Sequence, residues 1–517
     1  MNRARRFDLA WMGALVVLGL VSRLPFLTRY LYHWDAVNFA FALRRFDVNL
    51  HQPQPPGYVL YVMTGRLANA LIPNVNTALI AVSILASILA AVCLYLLGKR
   101  MFDQRAGAAA SLLILFSPLV WFYSLIAKPN IVDAPLVAGC ALLLWDVMRG
   151  QRRLIIPAAL LLGIAGGFRQ QTLVFLAPLA VYAFRKEPFR NMLLGGGVTV
   201  LAFLASFIPM VAATGGLAQY QAAVAGLQSS FFTHTSIFQG GGLSGVISNV
   251  TKWVSFTVYA LLLGAIPLGL WLLLRLRQAP RALRDERTWF LALLALPSIL
   301  FYSLIHMGSH GLIFTFLPAV VLLAGAGLAE LTKRGGRWAL SAGLLALLSV
   351  NVFVFAAMPD QPIPGRGFHV VNLSTLREND RAYTARFDEL RSSFDPAATL
   401  VVTENWRHAQ YYLPEYWVLS APCSSGDEGA AGLTGMLYLS HGSSYTELNP
   451  ENAAAALPEG TRALVLLDGP GGCYFPPELA GRVETVSPLG EDVSFVQLNQ
   501  DEQFDNSSGQ LLIEAVP

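Results

Sequence analysis

Residues 30–61, YLYHWDAVNFAFALRRFDVNLHQPQPPGYVLY, decide how this chain is to be read. They follow a first hydrophobic run and precede at least ten others. Val37 and Phe41, with Phe39, Leu43 and Phe46 at helical spacing, predict a short helix with a broad apolar side, and Asn38, Arg44 and Arg45 supply its polarity. An amphipathic segment of this kind lies along a membrane surface rather than through it. Asp35, at its head, is then expected near the level of the lipid headgroups. Pro53, Pro55 and Pro56 keep His51–Tyr58 out of any helix interior, because each removes a donor and fixes φ. That stretch reads as a rigid turn aiming the chain back at the bilayer.

Working outward, the chain is 55% hydrophobic and 13% charged, with a mean hydropathy of +0.51. Soluble domains rarely have this composition; long uncharged runs make it a polytopic membrane protein. Of 36 Lys and Arg, 28 precede residue 358, whereas 22 of 32 Asp and Glu follow it. A basic membrane domain (1–357) is therefore expected ahead of an acidic, water-soluble one (358–517). No basic patch alternates with aromatics outside the membrane flanks, which argues against nucleic acid as a partner.

Runs long enough to cross ~30 Å of hydrocarbon lie near 9–27, 75–98, 107–125, 132–148, 154–168, 171–184, 192–213, 251–274, 288–305, 311–331 and 338–357. The first lacks a small-residue cleavage site and reads as an uncleaved span. The run 57–72 is interrupted by Arg66 and Asn69 and reads as a second interfacial helix. Six basic clusters, from Arg3/Arg5/Arg6 to Lys333/Arg334/Arg337, sort to one side under this count of about eleven spans. The positive-inside rule makes that side cytoplasmic, with the N-terminus inside and the tail outside. The outer face then carries 30–61, 214–250 and the tail. In the tail, Thr399–Val402, Ala463–Leu467 and Val493–Val496 alternate with helical stretches such as Asp380–Ser392, predicting an extracytoplasmic α/β domain. Cys93 and Cys140 fall in spans as packing residues, whereas Cys423 and Cys473 are expected to pair in an oxidising compartment.

Most acids of the membrane half fall at cytoplasmic ends; Asp35, Asp47 and Asp133 face outward. A carboxylate at membrane depth is costly and usually has a function. Asp35 reads either as an N-cap or as a catalytic group, Asp47 as a loop charge, and Asp133, in KPNIVDAP, as a cap or a functional acid. Arg169, in GGFRQQT, sits between two apolar runs, where a guanidinium suits an anion. His306 and His310, in HMGSHG, have i,i+4 spacing, but Gly308 and Gly311 favour a loop over a metal-binding helix. No Walker loop, dinucleotide-binding turn, CxxC pair or nucleophile elbow appears.

The order of these motifs resembles the type C polytopic glycosyltransferases, the superfamily that includes protein O-mannosyltransferases and the lipid A aminoarabinose transferase. The likeness rests on HWDAVNFAFAL, the return HQPQPPGYVLYV, YLLGKRMF, KPNIVDAP and HGLIFTFLPAVVLLAGAGL, and is strongest over 30–190. It implies a helical membrane protein that moves a sugar from a polyprenyl-phosphate lipid to a glycan, lipid or protein acceptor at the outer face of the plasma (inner) membrane. Phosphate is already a good leaving group, so such a site needs cations to hold it and a base for the acceptor hydroxyl. On this resemblance Asp35 is the base, with inversion at the anomeric carbon, and Asp133 orients the acceptor or a metal. Arg169, Lys128 and Arg44 hold the donor phosphate, and His51, Gln52, Tyr58, His306 and His310 line the donor or acceptor loops. Members commonly carry two adjacent acids in the first loop, whereas Asp35 is followed by Ala36. A divalent cation, Mg or Mn, is left open as a cofactor. The rival readings are a transporter or flippase of lipid-linked sugars, which predicts paired repeats and mid-membrane charges, and a non-catalytic membrane scaffold.

Overall fold

A computed structural model describes residues 3–276, 284–336, 338–362, 370–420, 437–442, 444–448, 454–458, 460–468, 481–498 and 512–515. The expected Cys423–Cys473 pairing lies outside them. The chain forms two compact units, one of residues 1–28 and 42–376, the other of residues 29–41 and 377–517. Compared with a division at Met358, residues 29–41 group with the tail and 358–376 with the membrane part.

The membrane unit is helical. Its elements include α1 (Arg3–Val21), the end of α2 (Trp34–Arg44), α3 (Val59–Leu71), α4 (Val75–Met101), α5 (Gln104–Leu115) and α6 (Pro118–Ser124). Next come α7 (Asn130–Met148), α8 (Ile155–Phe168), α9 (Gln170–Phe184), α10 (Phe189–Ala213) and α11 (Leu217–Phe232). The unit continues with α12 (Gly242–Leu261), α13 (Ala265–Leu276), α14 (Glu286–Leu304), α15 (Leu317–Leu331) and α16 (Ala339–Ala356). Every apolar run of the sequence is largely helical. Seven helices among the described residues are long and apolar enough to cross a membrane, or eight if α5 and α6, bent by 57°, are one span. The others of the eleven runs are shorter, with α8, α9 and α15 at 14, 15 and 15 residues. The 214–250 stretch, expected as an outer loop, is mostly α11 and the start of α12.

Local chemistry sets the helix ends. Asn74 Oδ1 caps α4 by accepting from Thr77 N, and Lys99 and Arg100 occupy its last turn, where cations suit the helix dipole. Asp103 then caps α5 through Ala106 N. Gly98 and Gly107 let the two helices touch backbone to backbone: a Cβ on Gly98 would lie 2.6 Å from Gly107 Cα. The basic clusters meet acids at one end of the bundle, in the pairs Lys99–Asp8, Arg100–Asp146, Arg152–Glu187, Arg185–Glu286 and Arg275–Glu330. Since α7 and α9 run to that end, and α8 from it, Asp133 and Arg169 lie at the opposite ends of their helices.

The second unit holds residues 29–41, most of α17 (Leu373–Ser393), α18 (Trp406–Tyr412) and strands β1 (Thr399–Thr403), β2 (Trp417–Ser420), β3 (Leu437–His441), β4 (Ser444–Leu448), β5 (Ala454–Leu457), β6 (Ala463–Leu466), β7 (Glu484–Val486), β8 (Val493–Gln497) and β9 (Leu512–Ala515). Seven strands form one sheet in the order β4-β3-β2-β1-β6-β8-β7, parallel at β1–β2 and β1–β6 and antiparallel elsewhere. Every residue of the central strands β1 and β6 is buried, which explains their unbroken apolar runs. The core is aromatic: Tyr30, Tyr383, Phe387, Trp406 and Tyr416 are all within it.

Candidate active site

In the membrane unit the first turn of α7 presents Asp133, only 1% exposed. Arg169 is a single extended residue (φ −154°, ψ 112°) that ends α8 and starts α9. The preceding Gly167 permits the break to sit close to its neighbours: a Cβ there would meet Ser206 Oγ at 2.5 Å and Leu60 Cδ1 at 2.6 Å. Arg169 Nη1 donates to Asp133 Oδ2 at 2.7 Å and Nη2 to Gln171 Oε1 at 3.2 Å. Thr172 Oγ1 donates to the other carboxylate oxygen at 2.5 Å. The guanidinium is therefore fixed on two sides. Its buried Nε has no hydrogen-bond partner among the described residues.

Arg169, Gln170, Pro56 and Tyr58 line one narrow cleft. Gln170 Nε2 donates to Tyr220 Oη (2.9 Å), and the Tyr220 hydroxyl in turn donates to Pro56 O (3.3 Å), tying the proline-rich return to α9 and α11. Tyr58 adopts φ 43° at the N-cap position of α3; His51 adopts φ 52°, and Gln52 is buried. Lys128 is buried in the turn before α7, within electrostatic reach of His310. Arg44 is exposed at the end of α2, where Arg66 donates to the carbonyls of Ala42 and Leu43.

His306 and His310 do not share a helix. His306 lies in the loop after α14, within 3.0 Å of Thr235 Oγ1, and His310 opens a 3-10 turn with its ring 4.1 Å from that of Phe256. Burial pushes both imidazoles down to about 4, with Lys252 and Lys128 adding to it. Among the described residues no three His, Cys, Asp or Glu side chains gather to hold a metal.

Asp35 belongs to the other unit. It is the second residue of α2 rather than its N-cap, and its N–H donates to His33 Nδ1 at 3.1 Å. The imidazole nitrogen occupies the place a capping oxygen would take. The helix is also not half-polar at a surface: Ala36 to Ala40 are fully buried, Asn38 included. Asn38, one turn beyond Asp35, has neither amide atom hydrogen-bonded among the described residues. Trp34 packs edge-on against Trp406, and Phe41 against Tyr411, at 5.6 and 5.3 Å between centroids.

Residues 54–213 match the family model described as dolichyl-phosphate-mannose-protein mannosyltransferase. Two structures of ArnT from Cupriavidus metallidurans share the fold. The undecaprenyl-phosphate-bound one has a TM-score of 0.57 at 12% identity, over 99% of this chain and 100% of that one. The apo one gives 0.54 at 13%, over 96% and 99%. The oligosaccharyltransferase AglB from Archaeoglobus fulgidus, in complex with an inhibitory peptide and a dolichol-phosphate, gives 0.46 at 12%, over 87% and 75%. No curated protein matches the chain. The chain is thus a multi-pass helical membrane protein with the fold of the two ArnT structures, and residues 54–213 match the mannosyltransferase model.

Proposed function

We propose that this chain transfers a sugar from a polyprenyl-phosphate lipid to a glycan, lipid or protein acceptor at the outer face of the inner membrane. The observation that carries the reading is Arg169: a buried guanidinium, fixed by Asp133 and Gln171, in a residue that lines a cleft. A fixed cation of this kind suits a phosphate better than a mobile one does, because nothing need reorganise as charge develops. The fold supports the lipid, since the ArnT relative holds undecaprenyl phosphate.

In the proposed step the acceptor oxygen bonds to the anomeric carbon and its proton passes to the Asp35 carboxylate. The bond from that carbon to the phosphate oxygen breaks, and polyprenyl phosphate leaves with the charge. One displacement inverts the anomeric centre. Arg169, with Lys128 and Arg44, holds the phosphate, and Asp133 acts by holding Arg169. The N-terminus is cytoplasmic in this reading and the α/β domain outside.

Mass spectrometry of envelope glycoconjugates from cells with and without the chain tests the proposal. A conjugate that loses a hexose or pentose in the deletion strain, and regains it with the wild-type chain only, supports transfer. An unchanged profile, with the lipid-linked sugar not accumulating, counts against it.

A further inference from the structure

We propose that the α/β domain is part of the catalytic machinery: Asp380, Tyr412 and His408 grip the backbone of residues 29–31 and thereby set the position of Asp35. This rests on Asp35 being the base.

The grip takes consecutive main-chain groups. Asp380 Oδ2 accepts from Arg29 N at 2.8 Å and Oδ1 from Tyr30 N at 3.0 Å. Tyr412 Oη accepts from Leu31 N at 2.8 Å, and His408 Nε2 lies 2.9 Å from Leu31 O. Three side chains thus engage every hydrogen-bonding group from Arg29 N to Leu31 O except the carbonyls of residues 29 and 30. Such contacts fix the path of the chain whatever side chains it carries.

The surroundings make the grip stiff. Leu31 is 0% exposed and His408 2%, and the His408 ring stacks on Tyr383 at 5.0 Å. Tyr30 is enclosed by Tyr383, Phe387 and Tyr412, with centroids 5.7, 5.6 and 5.0 Å away. Downstream, Trp34 and Phe41 are held by Trp406 and Tyr411, so Asp35 lies between two anchored stretches. A domain that served only to bind a distant partner would have no need to spend its buried polar groups on this one segment. Positioning does need it, because a misplacement of about 1 Å costs roughly 100-fold in rate. Asp380, Tyr412 and His408 are positioning residues, acting through residues 29–31.

The test uses the full chain in lipid nanodiscs with a polyprenyl-phosphate sugar. Tyr412→Phe keeps the ring packed on Tyr30 and removes the acceptor for Leu31 N. Asp380→Asn keeps the size and sets an N–H donor against one of two backbone donors. Both are expected to lower kcat about 10- to 100-fold, with donor KM unchanged, melting temperature held, and faster amide exchange confined to residues 29–37. Faster exchange there with full kcat overturns the positioning role and leaves the base in place. A kcat loss that comes with global unfolding in both variants overturns it also. Asp35→Asn is run alongside: full turnover in that variant overturns the base and with it the catalytic half of this proposal.

Discussion

Arg169 Nη1 and Asp133 Oδ2 lie 2.7 Å apart across 36 residues of sequence, and neither makes another ion pair among the described residues. Both side chains are nearly solvent-free. Removing one partner of a buried pair strands the other charge, at a cost of about 3–5 kcal/mol. Arg169→Ala is expected to lose that much stability together with donor affinity. In Arg169→Gln/Asp133→Asn no charge is stranded, so the melting temperature recovers in large part while donor binding does not. Thermal melts and polyprenyl-phosphate titrations check both halves; donor affinity that survives in the double variant removes Arg169 from the phosphate site.

Asp35→Asn is expected to lower turnover about 100- to 10,000-fold, the usual worth of a general base, at an unchanged melting temperature. Since Asp35 is not the cap of α2, the substitution removes no capping contact. Turnover of the purified variant comparable to wild type would exclude Asp35 and promote Asp133.

Burial pushes the His408 imidazole down to about 4 from an ordinary 6.5, against the upward pull of the Leu31 carbonyl and with a smaller downward contribution from His33. The folded domain therefore binds fewer protons than the unfolded one between those values. Its contribution is whole above pH 6.5 and fades as pH falls towards 4, on the order of 3 kcal/mol in all. Asp380 acts in the opposite sense, its carboxyl raised by burial. Melts at pH 7.5 and 5 are expected to show the domain weakened in acid, and His408→Gln to shrink the difference. An equal difference in both forms assigns the acid sensitivity elsewhere.

Gly107→Ala is expected to destabilise the membrane unit by about 1–3 kcal/mol, the usual cost of overpacking. Its Cβ would press on Tyr95 O and lie 2.8 Å from Lys99 N, both backbone atoms that cannot step aside. Gly196→Ala, with open space around its Cβ, serves as the control. Comparable melting temperatures for the two variants would remove the close approach of α4 and α5 as a constraint.

Much of this was legible in the sequence. Apolar runs and their basic ends located the helices, because length and charge are local properties. KPNIVDAP and GGFRQQT marked the two residues that pair, although as separate roles, since no local signal says which cation meets which acid. Thr172, Gln170 and Gln171 stood within the second of these motifs and went unused. The burial of Asn38 was hidden because its helix contains enough polar residues to pass for a surface one. The attachment of residues 29–31 to Asp380 and Tyr412 was beyond reach: the partners are about 350 positions apart, and main-chain contacts leave no mark on side-chain identity.

That distance also sets a schedule. A ribosome adding about 5–20 residues per second needs roughly 20–70 s to travel from Arg29 to Asp380, 351 positions later. Throughout that interval Asp35 is already made while the anchor of residues 29–31 is still untranslated. On the reading of Asp35 as the base, a nascent or prematurely terminated chain would carry that carboxylate on an unanchored segment, and competence would wait on the folding of the α/β domain.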